Sequence, residues 1–102
     1  MIIYNITITV DSEILDEWLD WMRGEHIPEV LDSGFFISAV MNRVISDLEN
    51  EHTYAIAYTC KNMKDFQRYQ KNFAVELQKK YIAKYGKKTI LFRTLLENVE
   101  IF

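Results

Sequence analysis

Twice along the chain, a nine-residue run of strict alternation is followed within two residues by a helix-capping residue and then by an apolar stripe of helical period. In residues 2–10, Ile2, Tyr4, Ile6, Ile8 and Val10 share one side, and Ile3, Asn5, Thr7 and Thr9 the other. In residues 52–60, Tyr54, Ile56, Tyr58 and Cys60 oppose Thr53, Ala55, Ala57 and Thr59. Period two over this length predicts half-buried strands. After the first, Asp11 and Ser12 are N-cap residues, and Leu15, Trp18, Leu19 and Met22 recur at helical spacing. This predicts a helix over about 13–24, a kink near His26 and Ile27 ahead of Pro28, and a short turn from Pro28 to Leu31 ended by Gly34. After the second, Asn62 caps a helix whose stripe is Phe66, Tyr69, Phe73, Leu77 and Tyr81, with Gly86 at its end. If that stripe is fully buried, Phe73→Ala costs ~3–5 kcal/mol.

Further strands are predicted over 35–46 and 89–101, the former joined to 52–60 as an antiparallel hairpin by the polar loop 47–51. The order β-α-β-β-α-β is the ferredoxin-like pattern: an α+β fold with a four-stranded antiparallel sheet and two helices on one face. At 102 residues the chain is read as one domain, 1–102, large enough to bury about two thirds of its unfolded surface.

The helices leave one sheet face open. Its central rows, Ile3, Asn5, Thr7, Thr9 and Thr53, Ala55, Ala57, Thr59, are small and semi-polar. With Leu91 and Leu95 assigned to it, this face is too apolar to stay wet, which predicts a homodimer packed through it. RNA-binding sheets need aromatics on the central strands of that face, and these rows supply none, which argues against nucleic acid. A net charge of −3 argues the same way. The charge is unevenly divided. Residues 1–51 carry eleven Asp/Glu against two Lys/Arg, and residues 52–102 carry four against ten. Two oppositely charged helices lying side by side explain the split.

No apolar run approaches the ~20 residues needed to span a bilayer, and the N-terminus lacks the basic region of a signal peptide. One cysteine, Cys60, excludes an intrachain disulfide and is read as structural. A cytoplasmic protein without membrane partner is expected. The acidic helix has few histidines near it, so no metal site and no cofactor are expected.

The segment WLDWMRGEHIPEVL over 18–31, with Gly34, Phe36 and Phe92-Arg93-Thr94, resembles a family of short bacterial proteins known only as a domain of unknown function. The resemblance covers essentially the whole chain and implies kinship with the dimeric α+β barrels, in which two ferredoxin-like sheets pair. EthD-like members of that superfamily carry a similar Trp-x-x-x-His-x-Pro. Here Trp21 stands five residues before His26, and Met22 four. The superfamily holds cofactor-less monooxygenases, isomerases, haem-binding members and proteins without known activity, so kinship does not select a function.

His26 is the first candidate for chemistry, as a general base or ligand anchor, against a plainer role capping the end of the first helix. Arg93 shares a face with Leu91 and Leu95. If that is the open face, it points into the space between sheets, where it would hold a carboxylate or enolate-like anion, or pair with a partner's acid. Asn5, Thr7 and Trp21 complete the candidate ligand-binding set. Arg43 on an edge strand and His52 beside a loop are read as solvated. Two functions stand. One is a non-catalytic homodimeric binding or regulatory module, favoured because no acid, base and nucleophile converge. The other is a small-molecule-binding protein or cofactor-less enzyme, monooxygenase- or isomerase-like, with a pocket between the first helix and the open sheet face. A cavity reached by His26 or Arg93 discriminates in favour of the second.

Overall fold

The computed structural model describes residues 1–48 and 50–102. Its elements are β1 (Ile2–Val10), α1 (Leu15–Trp21), α2 (Ile27–Asp32), β2 (Ser38–Arg43), β3 (His52–Cys60), α3 (Met63–Tyr69), α4 (Val75–Tyr85) and β4 (Thr89–Glu97). The sheet order is β2-β3-β1-β4, with every neighbouring pair antiparallel. This is the ferredoxin-like α+β fold. β1 and β3 span the residues where alternation predicts them, while β2 and β4 are shorter than expected.

The helices depart from expectation in one shared respect. α1 and α2 are joined by a π-helical turn, Met22–His26, and α3 and α4 by another, Gln70–Ala74, so each pair forms one continuous rod. The expected break before Pro28 is therefore absent. Proline lacks an N–H and its ring collides with the carbonyl four residues back, which normally ends a helix. The π turn widens the backbone here, with the Ile27 N–H reaching the Met22 carbonyl five residues back, and α2 begins afresh with Pro28 in its first turn. Trp18, Met22, His26 and Val30, each four residues apart, are all buried on one face. In an unbroken α-helix that spacing drifts around the rod, and the wider turn offsets the drift. The rod ends at Gly34, whose φ of 86° is the left-handed conformation that glycine adopts without strain.

In the second rod, Asn62 caps as expected, its side-chain oxygen accepting from the Asp65 N–H at 2.9 Å. The π turn then shifts the stripe by one residue. Tyr69 is followed into the core by Ala74 and not by Phe73, which is 39% exposed and touches only the flank, its ring 5.8 Å from that of Phe35. The large cost expected for Phe73→Ala is corrected accordingly. A half-exposed ring leaves little cavity, so the substitution should cost about 1 kcal/mol or less in urea unfolding. The helix-facing core also holds an aromatic cluster: Tyr4, Phe36, Tyr58, Phe66 and Tyr69 have ring centroids 4.7–6.3 Å apart. The two rods carry the opposite charges the sequence separates. One close pair ties them, Lys80 Nζ to Glu29 Oε2 at 2.9 Å.

Candidate functional site

β1 lies between β3 and β4, and its register fixes which way each β4 side chain points. Ile6 is opposite Arg93, Ile8 opposite Leu91, and Tyr4 opposite Leu95. Ile8 and Tyr4 are buried beneath the helical rods. Arg93, Leu91 and Leu95 therefore lie on the helix-facing row, not on the open face. The open face of β4 is instead Ile90, Phe92, Thr94 and Leu96, opposite Thr9, Thr7, Asn5 and Ile3. β4 is apolar on both sides, so alternation alone could not distinguish its faces.

A cavity of about 30 Å³ lies between the rods and this helix-facing row, room for about two water molecules. Ile6, Ile8 and Leu91 of the sheet line it with Met22, Val30 and Leu77 of the rods, an apolar floor and walls. Tyr4, His26, Tyr69, Gln78, Tyr81 and Arg93 supply its polar groups. Arg93, exposed on the edge strand, marks the outer side. The structure thus brings His26 and Arg93 together, but beneath the helices and not between the first rod and the open face. Asn5 and Thr7 lie on the opposite face of the sheet, where the Asn5 amide donates to Thr7 Oγ1 at 3.1 Å.

His26 caps no carbonyl, because the helix continues past it. Its ring is 8% exposed and stacks on Trp21, centroids 4.9 Å apart and planes 20° from parallel. The widened turn is what lets residues five apart meet in this way. Trp21 lies beside His26 rather than in the cavity lining, and it also neighbours Tyr85 and Lys84. Nδ1 of His26 is buried without a hydrogen-bond partner among the described residues. Burial pushes the imidazole pKa down to about 4; Glu29 and Glu25 oppose this and Lys80 assists it. The ring is therefore neutral at pH 7, not the imidazolium that a helix C-terminus would favour.

The tyrosines differ in their freedom. Tyr81 is committed: its hydroxyl accepts from Trp18 Nε1 at 3.0 Å and donates to Thr89 Oγ1 at 2.9 Å, which donates in turn to the Tyr85 carbonyl. Burial raises the Tyr4 pKa, an effect partly offset by the Arg93 guanidinium and by the Gln78 amide beside the hydroxyl. Burial also raises that of Tyr69, and Arg93 again opposes it. Arg93 shares the cavity lining with the Tyr4, Tyr69 and Tyr81 phenols and makes no salt bridge among the described residues. Sequence reasoning missed Tyr4, Tyr69, Gln78 and Tyr81 because tyrosines in an apolar stripe read as core. The only available signal was that each of the three tyrosines carries a hydroxyl, and Gln78 an amide, that burial must satisfy or aim at something.

The remaining candidates fall outside the cavity. His52 is half-buried, with Nε2 3.1 Å from Ser12 Oγ. Arg43 is exposed at the end of β2, and Cys60 is a buried free thiol. Among the described residues there is no cluster of His, Cys, Asp and Glu that could hold a metal ion, and no helix is long and apolar enough to cross a membrane.

The fold is shared widely. A dimeric ferredoxin-like protein from an uncultured marine organism superposes with a TM-score of 0.74 at 15% identity, over 100% of this chain and 98% of the other. An EthD family protein from Bacillus halodurans gives 0.69 at 13%, over 97% and 100%. An antibiotic biosynthesis monooxygenase gives 0.70 at 11%, over 98% and 100%. At these identities the likeness concerns the fold alone. No curated protein matches the chain in sequence. The family model for the domain of unknown function DUF4286 matches residues 1–99, and the chain belongs to that family.

Proposed function

We propose that this chain is a homodimeric small-molecule-binding protein of the cytoplasm, with its ligand held in the cavity beneath the first helical rod. The observation that carries this reading is a cavity reached by both His26 and Arg93. The buried Nδ1 of His26, without a partner among the described residues, is costly to keep unless a polar ligand or water satisfies it, and the exposed Arg93 guanidinium stands at the outer side of the same space. Its one thiol, Cys60, is buried and free, which suits a reducing compartment. A fragment screen followed by methyl NMR tests the site. Bound fragments should shift the methyl signals of Met22, Ile6 and Leu91, and fragments that shift only Val40 or Leu96 on the open face would overturn it.

The neutral His26 also favours a second reading, a cofactor-less enzyme in which the imidazole takes a proton from a bound ligand. It ranks second because one base is present without a nucleophile beside it.

Support for the homodimer comes from the open face. Val40, Phe92, Ile90 and Leu96 are all strongly exposed on it, Phe92 at 61% and Ile90 at 78%, around the small Ala55 and Ala57. A contiguous apolar sheet face of this kind suits a second copy packed at about 10 Å. Two of the structural relatives are described as dimeric ferredoxin-like proteins. Light scattering should return about twice the 12.2 kDa chain mass at micromolar concentration. Phe92→Asp, which buries a charge at that contact, should return the mass of a single chain. A wild-type mass of one chain would overturn the dimer.

A further inference from the structure

β4 is an edge of the sheet, and its outer side is open. Two backbone bonds show which groups it offers there. The Asn98 N–H donates to the Met1 carbonyl at 3.0 Å, and the Asp11 N–H to the Lys88 carbonyl at 3.1 Å. In an antiparallel ladder the direction of these groups alternates along the strand. Ile90, Phe92, Thr94 and Leu96 therefore turn their N–H and C=O groups toward β1, and Thr89, Leu91, Arg93, Leu95 and Glu97 turn theirs outward. Natural sheets blunt such an edge by shortness, proline, a bulge or charge. β2, the other edge, is six residues long. β4 is nine, continuous in register and free of proline, and it exposes Ile90, Phe92, Leu95 and Leu96.

A lone Arg93 in mid-strand would discourage pairing, but Glu97 stands four residues on, in the same row. Neither side chain makes a salt bridge among the described residues. In sequence Val99 and Ile101 continue that row beyond the last paired residue of β4, and they are 89% and 88% exposed.

We propose that β4 pairs with β4 of a second copy, antiparallel, about a two-fold axis through Leu95. This register sets Arg93 opposite the partner's Glu97, twice by symmetry, with Leu95 opposite the partner's Leu95 and Leu91 opposite the partner's Val99. Outward-turned backbone then meets outward-turned backbone, as the ladder requires. An axis through Arg93 would oppose two guanidinium groups, and axes through Thr94 or Leu96 would leave both charges opposite apolar side chains. Arg93 also lines the cavity, so the pairing brings a carboxylate of the second copy to the cavity's outer side. The contact uses the edge of the sheet, a different surface from the open face of the homodimer. A single strand pair is a small interface of the weak class, so it should assemble above the micromolar range.

Amide hydrogen exchange on the intact protein, at micromolar and at millimolar concentration, tests the pairing residue by residue. The outward amides of Leu91, Arg93, Leu95, Glu97 and Val99 should slow about tenfold once nine-tenths of the chains are paired. Those of Ile90, Phe92, Thr94 and Leu96 should keep at both concentrations the protection that β1 gives them, and in each variant they report that the sheet is intact. Over the same range the mass from light scattering should rise toward twice its micromolar value. Arg93→Glu and Glu97→Arg should each abolish both effects, because each sets like charges opposite one another, and the double variant should restore them.

Outward amides that exchange alike at the two concentrations would overturn the proposal and leave the open-face dimer standing. Slowing confined to β2 would assign the contact to the other edge and overturn it as well. Slowing that survives both single reversals, or that the double variant fails to restore, would overturn the register.

Discussion

Replacing Trp18 by Ala should lower the unfolding free energy by ~3–5 kcal/mol, the range for removing a large buried aromatic. Trp18 is fully buried and its ring lies 5.5 Å from that of Tyr54. It is also the first donor in a chain of hydrogen bonds that runs from its indole N–H through the Tyr81 and Thr89 hydroxyls to the Tyr85 carbonyl. The loss therefore combines a cavity with an interrupted relay. Trp18→Phe separates the two in part, since it deletes the donor and leaves a much smaller cavity than alanine does. It should cost less, with about 1 kcal/mol from the lost hydrogen bond. Urea denaturation of the three proteins measures both terms. A loss below about 1 kcal/mol for the alanine variant would show that the first rod does not pack as described. Tyr81 also lines the cavity, so the same substitution should disturb ligand binding without touching His26 or Arg93.

Much of this architecture is legible in the residues because burial and periodicity agree wherever one face is buried and the other is not. β1 and β3 alternate cleanly and lie at residues 2–10 and 52–60. β4 does not alternate: Ile90, Phe92 and Leu96 are as apolar as Leu91 and Leu95, so the face of Arg93 is set by pairing with Ile6 and not by its own pattern. The π turns were harder to read. An inserted residue changes backbone hydrogen bonding, not composition, and Pro28 is a common reason for a helix to stop. The trace was nevertheless present in the first rod, where Trp18, Met22, His26 and Val30 continue the buried stripe straight through the proline. In the second rod Phe73 is the more apolar choice and Ala74 the buried one, an outcome set by the turn. For the candidate site, His26 and Arg93 stood out as polar residues in apolar surroundings. The phenols that join them did not, because their rings belong to the core.

The neutral state of His26 has a second measurable consequence, opposite in direction to that of a capping histidine. An imidazolium holding a helix end would have a raised folded-state pKa, and stability would fall as pH rose through it. Here burial lowers the folded value to about 4 from the ordinary 6.5. Between those limits the unfolded chain binds more protons at this site than the folded one. Stability from His26 is therefore present in full above pH 6.5 and is lost as pH falls toward 4. A shift of this size is worth roughly 3 kcal/mol at full extent. Carboxylates also titrate as pH approaches 4, and Glu29, Glu25 and Lys80 all act on this ring. The contribution is isolated by comparing wild type with His26→Gln, which keeps a polar side chain but cannot gain the proton. The gap in unfolding free energy between the two should move in favour of His26→Gln by roughly 3 kcal/mol between pH 7 and pH 4. NMR titration of the ring Cε1–H should show no change until the pH is well below 6. A midpoint above 6.5 would mean that Glu29 and Glu25 outweigh burial, and the ring could not then serve as the neutral group facing a ligand.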